Sequence, residues 1–261
     1  MPEEKKRVLV TGANGVIGRA VYEHLGDRYE LHALTRRPVD IPSHVANVAD
    51  LEAIQPAFVG MDAVVHLAAS AAVSTPWEDI LRNNLIGTYN VFEASKRSGV
   101  NAVVFASSNH TIGMYETDGA PELYALDDPR VYDHTVELRP DSLYGVSKVY
   151  GEAIGRYYHE LFGLRVYNLR IGSVRADDAP RDPKVAEGSF WLDLKPEQKF
   201  DRMRATWLSR RDCAELIAAC LEATDVGWAV VYGISNNPRQ FWDLSHAREL
   251  LGWEPRDRAP E

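Results

Sequence analysis

The sequence predicts an α/β fold, a doubly wound parallel sheet with a small C-terminal lobe. Strand and helix patterns alternate along most of the chain, which is typical of a sheet covered by helices on both faces. Several strand candidates, such as 63–67 (AVVHL) and 102–106 (AVVFA), are continuous apolar runs. Such runs indicate parallel strands buried on both sides, because a half-exposed strand would alternate apolar and polar residues.

The elements follow from local patterns. The apolar run from Arg7 to Val10 predicts the first strand, and apolar residues recur with a helical period from Val16 onward. Asp50 is a favourable N-cap for a helix over 50–58. The other elements, in chain order, are strands over 29–34, 63–67, 102–106 and 165–170, and helices over 77–98, 142–162 and 244–251.

Composition disfavours some partners. The 261 residues carry a net charge of −9, which argues against nucleic acid and against an anionic membrane surface. No apolar run approaches the ~20 residues of a membrane-spanning helix. Cys213 and Cys220 lie seven apart on one predicted helix, too far for a disulfide, so they are expected as buried free thiols. Together with an N-terminus that lacks a secretory signal, this predicts a cytoplasmic protein.

A glycine-rich turn, TGANGVIG, follows the first strand. Gly12, Gly15 and Gly18 are three residues apart and open an amphipathic helix. Glycine permits the tight turn, the close approach of backbone N–H groups to a phosphate, and close helix–strand packing. The N-terminus of the helix adds partial positive charge. In this context the turn predicts a pyrophosphate site on a Rossmann-type sheet, and therefore a bound dinucleotide.

The end of the second strand bears on the choice of dinucleotide. An acidic residue there would bind the ribose 2′-hydroxyl of NAD, but this chain has Thr35-Arg36-Arg37 instead. Two guanidinium groups suit a 2′-phosphate, so NADP is favoured. The alternative is that both arginines are solvated and that the Thr35 hydroxyl holds NAD.

Tyr144 and Lys148 lie at positions i and i+4 of the predicted helix over 142–162 and therefore share one face. A nearby ammonium group lowers the pKa of a phenol, so that the tyrosine can take a proton from an alcohol. The spacing alone is common, but the glycine turn upstream makes it informative.

At this point the chain resembles the extended short-chain dehydrogenases, the NAD-dependent epimerase/dehydratase family. The resemblance spans residues 8–255 and is carried by TGANGVIG, HLAAS (66–70), NNLIGTYN (83–90), SSN (107–109), YGVSK (144–148) and ARELLGWEP (247–255). It implies that Tyr144 is the catalytic acid/base, that Lys148 orients the nicotinamide ribose, and that Ser108 binds the reacting oxygen. The family usually has Asp where this chain has Asn47.

With the glycine turn and the arginines included, the resemblance implies these cofactor contacts: Gly12, Asn14, Gly15, Val16, Ile17, Gly18, Thr35, Arg36, Arg37, Asn47, Val48, Leu67, Ala68, Ala69, Asn84, Ser107, Tyr144, Lys148 and Ile171.

Within the family, SSNHTIG, RIGS at 170–173 and RM…TW at 202–207 look like the uronate dehydrogenases, which oxidise the anomeric hydroxyl of a hexuronic acid to a lactone. That resemblance implies that Arg202 clamps the substrate carboxylate; the alternative is a surface salt bridge, with Asp201 beside it as a partner. Ser70, Ser74 or Thr75 would supply one further serine-type contact, and the sequence does not choose among them. The implied substrate contacts are Ser70, Ser108, Asn109, His110, Tyr144, Ser173 and Arg202.

Two segments are longer than a uronate dehydrogenase leads us to expect. We treat 1–261 as one Rossmann-type domain whose substrate lobe comprises about 116–141, 174–206 and 234–261. The two long segments, expected as loops over 116–141 and 175–200, add cations that could serve a phosphate. Related archaeal enzymes oxidise glucose 6-phosphate at the anomeric carbon. These cations are Arg130, His134, Arg139, Arg175, Arg181 and Lys184.

The sequence therefore predicts an NAD(P)-dependent oxidoreductase that converts a hexuronate or related aldose, or a sugar phosphate, to its lactone without a metal. A nucleotide-sugar epimerase or dehydratase is the first alternative, and a non-catalytic NADP-binding redox sensor is the second. Aromatic residues on the helices over 77–98 and 144–162 exceed what one sheet face needs. In this family these helices form a four-helix interface, so we expect a homodimer. The aromatic residues are Tyr89, Phe92, Tyr150, Tyr157, Tyr158 and Phe162.

Overall fold

A computed structural model describes residues 4–180 and 192–260. Seven parallel strands form its sheet, in the spatial order β3-β2-β1-β4-β5-β6-β7. Chain order reverses between β1 and β4, and at such a switch point parallel sheets bind ligands beyond their carboxyl ends. The doubly wound Rossmann-type class is confirmed. The strands are β1 Arg7–Thr11, β2 Glu30–Thr35, β3 Ser43–Val45, β4 Ala63–His66, β5 Ala102–Ser108, β6 Arg165–Ile171 and β7 Trp228–Gly233.

Helices cover both faces of the sheet. Val10, Val65 and Tyr167 belong to the apolar core of one face, and Leu9, Val64 and Phe105 to that of the other. Neighbouring residues of a strand therefore enter opposite cores, which explains the continuous apolar runs. The described helices are α1 Val16–Leu25, α2 Leu51–Ile54, α3 Trp77–Asp79, α4 Gly87–Arg97, α5 Gly113–Gly119, α6 Leu143–Phe162, α7 Pro196–Thr206, α8 Arg210–Glu222 and α9 Ser245–Leu251.

Two predicted helices differ from simple α-helices. The one over 50–58 is α2 followed by a 3₁₀ turn, Gln55–Phe58, because Pro56 has no N–H for an α-helical hydrogen bond. The one over 77–98 is α3, then a π-helical stretch, Ile80–Ile86, then α4. By contrast α6 matches its prediction: the Ser142 hydroxyl accepts from the Gly145 N–H at its start, and Gly163 ends it with φ +70°.

The two segments expected as loops are partly helical, which corrects the prediction. The first contains the end of α5 and a 3₁₀ turn, Glu122–Tyr124, and the second contains the start of α7. Short helices rich in Asp, Glu and Pro have little apolar periodicity to reveal them. The first segment also packs against the C-terminal part of the chain: Arg239 Nε donates to the Leu123 carbonyl (2.9 Å), and Tyr132 forms a β-bridge with Trp242. Arg181 and Lys184 lie outside the described residues.

Candidate active site

Two glycines of the turn between β1 and α1 occupy positions with no room for a side chain. Gly12 has φ +72°, and a Cβ there would lie 2.9 Å from the Ala68 amide nitrogen. A Cβ on Gly18 would lie 2.5 Å from the Ala13 carbonyl oxygen. The backbone between β1 and α1 is therefore open to a ligand at the helix N-terminus, as a pyrophosphate requires.

Beside this turn lies a cavity of about 340 Å³, which we call the nucleotide cavity. Leu34, Ala46 and Asn83 also line it, although they are absent from the predicted contacts. The sequence indicates these three residues only through their position, since each lies near the carboxyl end of a strand or close to a predicted contact. The predicted residues that line it are Gly12, Asn14, Gly15, Thr35, Arg36, Arg37, Val48, Leu67, Ala68, Ala69 and Ser70.

Two predicted cofactor residues lie elsewhere. Asn47 lines a separate surface hollow, and its side-chain oxygen accepts from the Ala49 N–H (3.0 Å). Asn84 is buried behind the strand-end loop, where its amide pairs with the backbone of Ser70 at 2.8 and 3.1 Å. It therefore positions Ser70, and the neighbouring Asn83 lines the cavity instead.

A second cavity of about 510 Å³, the catalytic cavity, continues from the first and shares Gly12, Gly15, Leu67 and Ala69 with it. The predicted residues that line only this cavity are Val16, Ile17, Gly18, Ser107, Ser108, Asn109, His110, Tyr144, Lys148, Ile171, Ser173 and Arg202. Ser70, predicted as a substrate contact, lies in the nucleotide cavity. Of the three open choices only Ser70 lines either cavity; Ser74 and Thr75 do not.

Tyr144, Lys148 and Ser108 meet in the catalytic cavity, and all three are buried. The Lys148 ammonium nitrogen donates to the Ala106 carbonyl (2.6 Å) and lies 5.5 Å from the centre of the Tyr144 ring. Burial raises the pKa of Tyr144 to about 12, although a hydrogen bond with Ser108 opposes this, and burial lowers the pKa of Lys148 to about 7. The predicted lowering of the phenol pKa is therefore wrong for this structure, because desolvation disfavours the charged form of both groups.

His110 and Asp141 form a partly buried pair next to the phenol. His110 Nδ1 lies 2.7 Å from the Asp141 carboxylate, and the His110 ring contacts Tyr144 edge-on. Gly145 makes this packing feasible, since a Cβ there would lie 2.3 Å from the His110 carbonyl oxygen. The strand end after β5 is thus held directly against the start of α6.

Arg202 is buried, and its guanidinium is held by Glu116. Nε lies 2.5 Å and Nη2 3.2 Å from the two carboxylate oxygens. The side chains of Arg202 and Glu116 are only 4% and 2% exposed. The alternative of a surface salt bridge with Asp201 is therefore wrong: Asp201 pairs with Arg204. Arg202 lines the catalytic cavity as predicted, but with its charge already matched.

The profile of the NAD dependent epimerase/dehydratase family matches residues 8–194. The chain belongs to this family. It is 39% identical to an NAD-dependent glucose-6-phosphate dehydrogenase of Haloferax volcanii, over 97% of this chain and 94% of that protein. It is 38% identical to an L-arabinose 1-dehydrogenase (NAD(P)(+)) of the same organism, over 97% of each. A mutant uronate dehydrogenase of Agrobacterium tumefaciens complexed with NAD superposes with a TM-score of 0.79 at 36% identity, over 97% of this chain and 86% of that one.

Two predicted contacts are already hydrogen-bonded to other side chains of the protein. They are Ser107, predicted to contact the cofactor, and Ser173, predicted to contact the substrate. Ser107 donates to Glu152 (2.6 Å), which forms a buried ion pair with Arg170 (2.9 Å). Ser173 shares a hydrogen bond with Thr206 (2.9 Å). The Glu152–Arg170 pair was not predicted from the sequence, where its only signal is a charged residue at the end of an apolar strand.

His66 is a second residue near the site that is absent from the predicted contacts. It lies between Thr11 (Nδ1–Oγ1 2.8 Å) and Thr88 (Nε2–Oγ1 3.2 Å), and burial lowers its pKa to about 3. Thr11 Oγ1 accepts from the N–H groups of Leu67 and Ala68, both at 3.1 Å. The neutral imidazole therefore helps to hold the loop between the two cavities.

Most described cations of the long segments lie outside the site. Arg130 pairs with Asp128, Arg139 pairs with Asp118, and His134 stacks on His246; none of these three cations lines the nucleotide or catalytic cavity. Arg175 lines the catalytic cavity and pairs with Asp177. Within 4–180 and 192–260, no cluster of His, Cys, Asp and Glu could hold a metal, and no helix is long and apolar enough to cross a membrane.

Proposed function

We propose that this protein oxidises the anomeric hydroxyl of a cyclic sugar to the lactone with a nicotinamide dinucleotide. One observation carries the proposal: the buried phenol of Tyr144 and hydroxyl of Ser108 share a cavity that continues into the cavity of the glycine turn. The turn would hold the phosphates of a dinucleotide bound along this path, and Tyr144 and Ser108 would lie at its nicotinamide end. The names of the relatives, three sugar dehydrogenases, support the same reaction class.

The residues present fit such a cofactor. Gly12 and Gly15 leave a cradle at the N-terminus of α1, and Thr35, Arg36 and Arg37 line the far end. When bound, the nicotinamide accepts a hydride from the anomeric carbon.

The chain's own groups handle the proton. Ser108 binds the sugar hydroxyl, and the phenolate oxygen of Tyr144 takes its proton as the C–H bond breaks and the C=O bond of the lactone forms. Lys148, fixed on the Ala106 carbonyl, lies beneath the ring and favours the phenolate when it is protonated. Asn109 and His110 lie beside these groups and provide polar contacts for further sugar hydroxyls.

The direct test is a panel of sugars incubated with each cofactor while reduced nicotinamide is followed by its absorbance. The panel contains galacturonate, glucuronate, galactose, glucose, glucose 6-phosphate, arabinose and xylose. We expect steady reduction and a lactone product with at least one sugar. A tightly retained cofactor and no net reduction with any sugar would instead favour an epimerase.

We propose NADP as the preferred cofactor. Arg36 and Arg37 are exposed and line the nucleotide cavity, and no acidic residue in the described part of the chain lines it. Because a charged hydrogen bond contributes about 1.5–3 kcal/mol, Arg36→Ala with Arg37→Ala should lower kcat/KM for NADP⁺ by roughly tenfold or more and change that for NAD⁺ little. Arg248→Ala, which removes an exposed arginine that pairs with Glu254, is the control. Equal losses for both cofactors would contradict the assignment.

We also propose a cytoplasmic homodimer. Cys213 and Cys220 are buried free thiols, as expected in a reducing compartment. For the dimer, Tyr89, Tyr157 and Phe162 are each more than 40% exposed on the face formed by α4 and α6. Phe92 and Tyr158, also predicted for that face, are instead stacked in the core.

A further inference from the structure

We propose that Glu116 is a specificity residue: by pairing with Arg202 it makes the catalytic cavity select a sugar with an uncharged group at the carbon where a hexuronate has its carboxylate. The inference rests on the proposed sugar oxidation and narrows its substrate class to sugars with no charged group on that carbon, which excludes both hexuronates and sugar 6-phosphates.

The pair is firmly held. Glu116 lies on α5 and Arg202 on α7, and both side chains are almost completely buried. The Tyr124 hydroxyl donates to Glu116 Oε1 (2.7 Å), so this carboxylate is held by two other elements. Arg202 lines the catalytic cavity and Glu116 does not, so Glu116 backs the guanidinium from the protein side. A substrate carboxylate would reach a guanidinium that already has a bidentate anionic partner.

A second buried carboxylate near Arg202, that of Asp141, also disfavours the binding of a substrate carboxylate. Asp141, whose side chain is 2% exposed, lies on His110 within the same wall of the site. Burial acts to lower the pKa of Arg202, but Glu116 and Asp141 contribute to raising it, and the raising effects outweigh burial. Two buried carboxylates therefore already act on the Arg202 guanidinium. The carboxylate of a hexuronate would lose its hydration on entering the cavity, and the guanidinium, whose charge is already balanced, would compensate little of that cost. A hydroxyl or hydroxymethyl group is neutral and avoids that cost.

Matched sugar pairs test the proposal. Glucose and glucuronate, or galactose and galacturonate, differ only in the oxidation state of C6, so their ratio of kcat/KM isolates the carboxylate. We expect the wild-type protein to prefer the neutral member of each pair. This comparison needs no variant, and a wild-type preference for either uronate would overturn the proposal.

Glu116→Gln removes the charge and keeps the shape and an acceptor oxygen. It should raise the uronate-to-aldose ratio by about tenfold, because the guanidinium then lacks the carboxylate that balances its charge. Asp118→Asn is the control: it removes one negative charge from the same helix, at a side chain that is 55% exposed and pairs with Arg139. An unchanged ratio in Glu116→Gln, or an equal rise in Asp118→Asn, would overturn the role of Glu116.

The outcomes separate the two proposals. If the wild-type protein oxidises neutral sugars and uronates equally well, the sugar oxidation stands and the specificity role fails. If it oxidises no sugar of either kind with either cofactor, the proposed function fails and the specificity role fails with it. Thermal unfolding of each variant in the presence of each sugar gives a second readout, since a ligand that binds only the folded state raises Tm.

Discussion

Burial moves the pKa values of the two principal side chains of the catalytic cavity in opposite directions. The pKa of Tyr144 rises to about 12 and that of Lys148 falls to about 7, so the protein without ligands favours a neutral phenol and a readily deprotonated amine. The Tyr144 phenol must therefore lose its own proton before it can accept the proton of the substrate. The motif YGVSK predicts which residues meet, but desolvation depends on tertiary packing, which the spacing of two residues does not contain.

Tyr144→Phe removes the proton acceptor and little else, because the ring remains packed against His110. We expect turnover to fall by about 10²–10⁴-fold, the usual contribution of a positioned acid or base. The dissociation constant of the dinucleotide, measured by fluorescence titration, should change little. Turnover within a few-fold of the wild-type value would show that another group takes the proton.

Lys148 gives stability a pH dependence of known sign. In the unfolded chain its amine stays protonated up to its ordinary pKa of 10.5, whereas in the folded protein it loses the proton above about 7. Between these values the unfolded state binds more protons, so this group makes the free energy of unfolding rise with pH, by at most about 1.4 kcal/mol per pH unit.

Lys148→Met removes this titration. Urea unfolding of both proteins from pH 6 to 10 should show the stability of the wild type rising relative to the variant above about pH 7, and a constant difference below it. Parallel curves over the whole range would mean that the amine does not titrate in the folded state as its burial implies.

At the scale of elements, the turn between β1 and α1 combines two constraints. Gly12 has a positive φ and also lies against the backbone of Ala68. Gly163, at the end of α6, has nearly the same φ of +70°, but a Cβ added there would meet no atom of the described residues within 4 Å. A substitution of Gly163 therefore tests the positive φ alone, whereas a substitution of Gly12 tests both the positive φ and the close contact with Ala68.

Gly163→Ala should lower the free energy of unfolding by about 1 kcal/mol, the cost of a left-handed conformation, and leave dinucleotide affinity unchanged. Gly12→Ala should lower both stability and affinity, since its Cβ at 2.9 Å from the Ala68 nitrogen forces the turn to move. Chemical denaturation and cofactor titration of the two variants provide the comparison. Equal affinities would show that the turn does not hold the phosphates.

Elements with strong periodicity or a clear cap could be predicted from the sequence, and those without could not. The α6 helix has both a capping serine and a terminal glycine, and its prediction is confirmed to within a residue. The α5 helix has neither a regular apolar stripe nor a side-chain cap, so its pattern predicts a loop. Glu116 lies on that helix and pairs with Arg202 across 86 residues of sequence, a separation that no local pattern spans.

At the scale of the whole molecule, several exposed apolar side chains lie on α4, on the π-helical stretch before it and on α6, which pack against one another. Five of these side chains are each 39–51% exposed: Leu81 on the π-helical stretch, Tyr89 on α4, and Val146, Tyr157 and Phe162 on α6. Contiguous apolar surface of this kind marks an interaction site in soluble proteins. A twofold interface brings the same patch from both chains together, so one substitution alters it twice.

Tyr157→Glu should therefore convert the proposed dimer to a monomer, because it places a charge from each chain in an apolar interface. Leu126→Glu is the control, since Leu126 is 73% exposed and lies outside both helices. Sedimentation equilibrium should give the mass of two chains for the wild type and for Leu126→Glu, and of one chain for Tyr157→Glu. A wild-type protein that sediments as one chain at every concentration would contradict the dimer, and a dimeric Tyr157→Glu would place the interface elsewhere.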